Sequence, residues 1–214
     1  MRVFWFLATL VASVFAWVGP AFAHPHEFVS MRIDTRFDKE GRANAFTYHW
    51  AFDEFFTAYA LEGKDTNGDG TFQDEEVMEL LKEILGNIAE IDYFTAFDAN
   101  GVVPEFDVAV PKTATLDNRQ LKVSFRVPFK KPISVSEKPL RFAVYDGEFY
   151  IAFNLETEGD VLRLMNANPE CKGAMTPADP DDSLAAFAAS LDKTESGGND
   201  LGRHFAEWIE VKCP

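Results

Sequence analysis

A twelve-residue stretch from Asp65 to Glu76 has the residue types and spacing of an EF-hand calcium loop. It matches the pattern D-x-[DN]-x-[DN]-G-x5-E at every defined position. Hard oxygen ligands on a flexible loop, with glycine at the sixth position for the sharp turn, select Ca2+. The predicted ligands are the side chains of Asp65, Asn67, Asp69 and Glu76 and the carbonyl of Thr71. The alternative is a degenerate loop that keeps the turn without the ion.

The number of such loops bears on what the ion does. Sensor EF-hand proteins open a methionine-rich groove when calcium binds, whereas this chain has one loop and only five methionines. We therefore expect a structural rather than a regulatory calcium ion.

The histidines are a second set of candidate ligands, and the chain has four of them. Cleavage after Ala23 would make His24 the amino terminus, and a free α-amine beside an imidazole chelates Cu2+, Ni2+ or Zn2+. His26 or Glu27 could add a further donor. The amino-terminal copper and nickel motif that uses deprotonated amides is excluded, because Pro25 has no amide hydrogen to lose.

The predicted transition-metal site combines an amino-terminal histidine with His49, and its candidate ligands are His24, His26, His49, Asp53 and Asp146. In the expected hairpin His49 lies opposite Arg32, six residues from His26, which is ~20 Å along a strand. The site therefore requires the amino-terminal segment to fold back or His49 to meet ligands from another strand. The alternatives are a solvated chain end and a strand histidine that is hydrogen-bonded to a neighbour.

The first 23 residues are predicted to form a secretory signal peptide. Arg2 precedes an uncharged apolar run at 3–18, and a break at 19–20 leads to the small-x-small pattern that ends at Ala23. A membrane anchor is the alternative, but the run is shorter than the ~20 residues of a spanning helix. We expect export, cleavage after Ala23 and no stable membrane insertion afterwards.

The two cysteines indicate the compartment of the protein, and the net charge indicates the class of its partners. Cys171 and Cys213 are expected to form a disulfide in an oxidising compartment, since their wide spacing is unlike that of a thiolate zinc motif. The formal net charge is −15, with 35 Asp and Glu against 20 Lys and Arg. Such a surface repels phosphate backbones and anionic headgroups, which disfavours nucleic-acid binding and favours cations as partners.

The elements that position these residues are those of an α+β domain over 24–214. Alternating side chains predict strands at 27–37 and 44–52, with the aromatic residues of the second strand facing the core. Helical spacing on both sides of the calcium loop predicts an EF-hand-like insert at about 53–90. Further strands are predicted near 102–110, 120–127, 140–145, 149–156, 160–165 and 205–213, with a helix at 182–193. This order favours a mostly antiparallel sheet or sandwich with the inserted helix-loop-helix and a further C-terminal helix.

Several segments together resemble one known family: the His-Pro-His start of the mature chain, residues 48–55, 65–70 and 145–153, and the end of the chain from 202. They are similar to the domain of unknown function family 1007, often described as an uncharacterised periplasmic component of an ABC-type transport system. The resemblance implies a periplasmic location and an association with the transport of zinc, nickel or cobalt. The family pattern is kept at the positions of the candidate transition-metal ligands. Gly147 departs from the proline that family members often have, but Asp146 before it is retained.

We therefore predict a periplasmic calcium-binding accessory protein that binds a divalent transition metal (Zn2+, Ni2+, Co2+ or Cu2+) for an ABC-type or related membrane metal transporter. One alternative is a metal-dependent enzyme that uses the amino-terminal histidine. The chain has no nucleophile elbow, paired zincin histidines or phosphate loop, so a non-enzymatic role is favoured. The other alternative is a purely structural calcium-binding interaction module.

Overall fold

The computed structural model describes residues 25–157, 159–192, 195–198 and 200–214. The predicted signal peptide and His24 lie outside the described residues. The strands are β1 (Glu27–Phe37), β2 (Ala43–Phe52), β3 (Thr95–Phe97), β4 (Val110–Asp117), β5 (Gln120–Ile133), β6 (Leu140–Val144), β7 (Ile151–Leu155), β8 (Leu162–Met165), β9 (Lys172–Thr176) and β10 (Trp208–Lys212). The α-helices are α1 (Glu54–Ala60), α2 (Asp74–Ile88) and α3 (Asp182–Ser190), and 3-10 segments cover Ala89–Phe94 and Leu201–Phe205.

The strands form two sheets. The first has the order β4-β5-β2-β1-β7, with β8 also paired to β1, and the second has the order β3-β6-β10-β9. All pairings are antiparallel except those of β1 with β7 and β8, which are parallel. The predicted α+β class with a mostly antiparallel sheet architecture is confirmed.

The core lies between the inner faces of the two sheets. In the β1–β2 hairpin Arg32 lies opposite His49, as the sequence predicts. Phe46, Tyr48, Trp50 and Phe52 are all buried on the inner face of β2. The ring of Phe46 lies 4.4 Å from that of Phe142 on β6 of the other sheet. Because successive strand residues point to opposite faces, His49 is directed to the outer face of the first sheet.

Helices α1 and α2 flank the predicted calcium loop. Asp53 caps α1 by accepting hydrogen bonds from the amides of Phe55 and Phe56. A capping box between Gln73 and Glu76 begins α2, which satisfies amides that have no partner within the helix. One face of α2 is buried in the core, through Val77, Leu80, Leu81 and Leu85.

The chain from Thr95 onward departs from the sequence prediction in four places. Residues 102–110 are mostly irregular, with one bridge from Phe106 to Phe129, and the strand begins only at Val110. The predicted strand at 205–213 begins later, because Leu201–Phe205 is a 3-10 segment. Strands β3 and β9 were not predicted, since β3 is very short and the residues of β9 are all exposed.

Cys171 and Cys213 form the predicted disulfide. It joins the residue before β9 to the residue after β10, and these strands pair in antiparallel fashion with Lys172 opposite Lys212. The bond is compatible with the predicted export, because disulfides persist in oxidising compartments. Within the described ranges, none of the helices has the length and apolar character needed to cross a membrane.

Candidate metal centres

The predicted calcium loop folds around its first carboxylate. Asp65 Oδ1 accepts hydrogen bonds from the amides of Gly68 at 2.8 Å and Asp69 at 3.2 Å, and Oδ2 accepts one from Gly70 at 2.9 Å. Asn67 Oδ1 accepts a further bond from the Asp69 amide at 2.9 Å. Gly70 has φ +81°, a conformation that glycine adopts without steric cost. The sharp turn required at the sixth position of the loop is therefore present.

Two predicted calcium ligands face one shared donor. The side-chain amide nitrogen of Gln73 lies 2.8 Å from Asp69 Oδ2 and 3.4 Å from the carbonyl oxygen of Thr71. An N–H donor that reaches both oxygens shows that they are directed toward a common point. Oxygen ligands of a cation require the same convergence.

Glu76 joins the end of the loop to its beginning. Its Oε1 accepts hydrogen bonds from the amide of Thr66 at 2.7 Å and the hydroxyl of Thr66 at 2.6 Å, while Oε2 accepts one from the Gln73 amide at 3.1 Å. The hydrogen bonds from Thr66 and Gln73 lower the pKa of Glu76, and those from Thr71 lower the pKa of Asp69. Both carboxylates are therefore ionised at neutral pH. Bidentate ligation by Glu76 would require it to exchange its bonds to Thr66 for bonds to the cation.

Glu27, the first residue of β1, lies among acidic side chains. Burial raises the pKa of Glu27, and the negative charges of Asp53 and Asp146 raise it further. Asp53 follows the end of β2, and Asp146 lies in the turn before β7, the strand that pairs with Glu27 through Ile151. The fold thus brings three carboxylates from distant parts of the sequence into one neighbourhood.

Asp53 and Asp146 hold this neighbourhood in place through backbone hydrogen bonds. Asp53 Oδ2 accepts from the Phe28 amide at 2.6 Å, while its Oδ1 caps α1. Asp146 Oδ2 accepts from the amides of Tyr150 at 2.8 Å and Ile151 at 3.1 Å. The two predicted ligands therefore fix the chain on both sides of Glu27 and also supply negative charge to it.

His26 lies beside this cluster. Its backbone amide donates to the carbonyl of Tyr150 at 2.8 Å, and its ring centroid is 4.7 Å from that of Tyr150. The segment that leads into β1 is thus aligned along the residues that lead into β7. His24 lies two residues upstream, outside the described residues.

His49 is placed apart from Asp53 and Asp146. Its Nε2 lies 3.2 Å from Asp34 Oδ2, and Asp34 also accepts two hydrogen bonds from Arg163 at 2.8 and 2.9 Å. Burial alone would raise the pKa of Asp34, which is 5% exposed, but the bonds from Arg163 and His49 lower it. Asp53 follows His49 by four residue steps along an extended chain, about 13 Å. In the described part of the chain no group of three or more His, Cys, Asp or Glu side chains is arranged to hold a metal ion.

Replacing Glu27 with glutamine is expected to stabilise the metal-free protein by about 0.5 kcal/mol at pH 7, a value reduced by solvent screening. The raised pKa means that the ionised form of Glu27 is disfavoured in the folded state. The wild type regains this stability as the pH falls through that raised pKa, so the difference should disappear near pH 4. Urea denaturation in EDTA at both pH values measures it. The exposed Glu137, changed to glutamine, is the matched control and, as a surface substitution, should leave the stability at pH 7 almost unchanged.

Comparison with known proteins gives two findings. A family model described as protein of unknown function (DUF1007) matches residues 9–213. An uncharacterized protein of Haemophilus influenzae is 26% identical over 199 residues, which cover 89% of this chain and 91% of that relative.

Proposed function

The chain belongs to the DUF1007 family, and from this premise we propose that it is a periplasmic accessory protein that binds a divalent transition metal for an ABC-type or related transporter. In this proposal the metal binds at the mature amino terminus, and a structural calcium ion binds in the loop from Asp65 to Glu76. The observation that carries the proposal is the position of Glu27 beside Asp53 and Asp146.

The charge balance around Glu27 supports a cation there. Like charges that lie close together disfavour ionisation, which is why the two aspartates raise the pKa of Glu27. The ion pairs formed by the described residues leave all three carboxylates without a Lys or Arg partner, since those pairs involve other acids. A divalent cation beside Glu27 would offset this repulsion.

The neighbouring donors favour a transition metal over calcium at this position. Imidazole and amine nitrogens suit Zn2+, Cu2+ and Ni2+, and Co2+ lies in the same affinity series, whereas Ca2+ takes oxygen ligands. His26 is held next to Glu27 by its bond to Tyr150, and cleavage after Ala23 would add the amine and imidazole of His24. In this arrangement Glu27 binds the metal directly. Asp53 and Asp146 keep their backbone bonds and supply negative charge.

The proposal leaves His49 outside the metal site. Its contact with Asp34, which is itself bound by Arg163, lies on the outer face of the first sheet. A metal held by His26 and His49 together would require one of these segments to leave its place in the sheet. Substituting His49 is therefore expected to leave transition-metal affinity unchanged.

The calcium part of the proposal is supported by the loop geometry. The five predicted ligands are all oxygen donors, and Asp69 and Thr71 converge on the amide nitrogen of Gln73. The chemistry of this donor set fits Ca2+. If calcium alone binds, the chain is better described as a structural calcium-binding module.

Native mass spectrometry of protein exported and processed in cells tests the transition-metal site. We expect one Zn2+, Ni2+, Co2+ or Cu2+ ion to bind beside one Ca2+ ion. A single residue added before His24 removes the chelating amine. It should weaken the affinity for the transition metal by about tenfold, equivalent to about 1.4 kcal/mol. Glu27→Gln should weaken it as well.

His204→Gln is the matched control, because His204 is exposed and is not part of the amino-terminal cluster. It should bind transition metal like the wild type. Specific binding of calcium alone, or equal affinity in the extended and native forms, would contradict the amino-terminal site.

A further inference from the structure

The outer face of the first sheet is polar and carries several basic side chains. Cross-strand partners point to the same face of a sheet, so the pairings define its rows. One row runs from Arg32 on β1 through His49 on β2 and Ser124 on β5 to Thr113 on β4. The next runs from Arg163 on β8 through Asp34 and Thr47 to Arg126 on β5.

A groove lies on this face beside His49. Its volume is about 450 Å³, within the range of small-molecule sites. The small side chain of Ala51 lies between Ser30 and Lys122 on the neighbouring strands and leaves room above the sheet. The groove is lined mainly by groups that donate or accept hydrogen bonds, among them Ser30, His49, Thr113, Lys122, Ser124 and Glu156.

Two arginines near His49 have no acidic partner among the described residues: Arg32 lies opposite His49, and Arg126 lies opposite Thr47, two residues earlier on β2. Arg163 is paired with Asp34 and Lys122 with Asp117, but the ion pairs of the described residues do not include Arg32 or Arg126. The Nε atoms of both are buried and have no hydrogen-bond partner within that part of the chain. Buried donors without partners are costly.

A buried hydroxyl on the same face is also unsatisfied. Thr47 lies opposite both Asp34 and Arg126, is 4% exposed, and its Oγ1 has no hydrogen-bond partner among the described residues. Buried polar groups in native proteins are nearly always bonded to protein or to another molecule. The unsatisfied atoms on this face are thus the Nε atoms of two arginines and one hydroxyl oxygen, and each of these N–H or O–H groups can donate to an oxygen.

We propose that this face binds a small molecule through a carboxylate or phosphate group held by Arg32 and Arg126, with His49 between them. The planar fork of arginine matches the oxygens of both groups. The two arginines do not line the groove itself, but Arg32 lies opposite His49, which does. The hydroxyls of the groove suit a hydroxylated remainder of the ligand. This site is independent of the proposed amino-terminal metal site, which is built from other residues.

Isothermal titration with inorganic phosphate and with gluconate, a hydroxylated carboxylate, tests the site on the processed chain. We expect one-to-one binding of at least one probe. Arg32→Gln and Arg126→Gln should each weaken it by about tenfold, because charge-assisted hydrogen bonds are lost. The stronger probe identifies whether phosphate or carboxylate is preferred.

Arg36→Gln is the matched control, since Arg36 lies on the same strand and face but opposite Ala45, away from His49. Arg36→Gln should change the affinity for the probe less than twofold, because salt screens the effect of a distant charge. Equal weakening by Arg36→Gln, or no binding of either probe at millimolar concentration, would overturn the proposal. Arg32→Lys keeps the positive charge but lacks the planar fork of the guanidinium group, so it should still weaken binding of the probe. A folded Arg32→Lys protein with weakened binding shows that the loss is not caused by misfolding. Unchanged binding in Glu27→Gln excludes a bridging metal at the amino terminus.

Discussion

Replacing Glu76 with glutamine is expected to lower the calcium affinity of the loop by about 100-fold, or about 2.7 kcal/mol. Glu76 is the twelfth residue of the loop, and its carboxylate already reaches back to Thr66 beside the first ligand. Glutamine has neither the negative charge nor the second acceptor oxygen that bidentate binding needs. Calcium should therefore raise the melting temperature of the wild type and leave that of Glu76→Gln almost unchanged. Differential scanning fluorimetry in EDTA and in calcium measures both.

Glu75→Gln provides the matched control for this experiment. Glu75 is the neighbouring residue, is exposed in the first turn of α2, and is not at a ligand position of the loop. It removes the same charge and should keep the calcium response within about twofold. A wild type that does not respond to calcium, or equal loss in the two variants, would show that the loop is a turn without an ion.

The calcium affinity of the wild type should also persist in mildly acidic solution. Asp69 and Glu76 have lowered pKa values because of hydrogen bonds from Thr71 and Thr66. A lowered pKa keeps a carboxylate ionised until the pH falls through that value. Titrations at pH 7 and pH 5 should therefore give similar affinities, and a sharp loss by pH 5 would contradict this interpretation.

The first hairpin could be predicted from sequence because its signals are local. Aromatic residues alternate along β2, so the choice of buried face and the pairing of His49 with Arg32 follow from a single pattern. The helices around the calcium loop are equally local, with apolar spacing in α2 and a capping box at its start. Elements whose own residues decide their structure were predicted with nearly correct boundaries.

Elements that depend on distant partners could not be predicted in this way. β9 has no buried side chain, so it has no alternating pattern and is a strand because it pairs with β10. The parallel pairing of β1 with β7 and β8 is likewise a property of the assembled sheet. In 102–110 the apolar residues suggest a strand, but Pro104 cannot donate to a ladder and Phe106 makes only one bridge.

The candidate sites show the same division. All predicted ligands of the proposed calcium loop lie within twelve consecutive residues, so their spacing alone carries the prediction. The neighbourhood of Glu27 depends on Asp53 and Asp146, which were predicted as ligands but not as the groups that raise its pKa. The ion pair of Arg163 with Asp34, the partner of His49, was not predicted, because Arg163 is brought to Asp34 only by the pairing of β8 with β1.

Removing the disulfide through Cys171→Ser and Cys213→Ser is expected to lower the free energy of unfolding by about 4 kcal/mol, from the chain-entropy model for a loop of this length. The bond connects residues 42 apart in sequence. It therefore removes many conformations from the unfolded chain. Urea denaturation of the double variant and of the wild type, with and without reductant, measures the loss.

The effect should be concentrated at one edge of the second sheet. β9 is an edge strand with exposed side chains, held by β10 and by the disulfide at its start. Without the bond, the amides of β9 should exchange with solvent much faster, while those of the buried β2 should change only with global stability. Equal denaturation midpoints, or uniform acceleration of exchange in β2 and β9, would show that side-chain packing rather than the covalent link holds this edge in place.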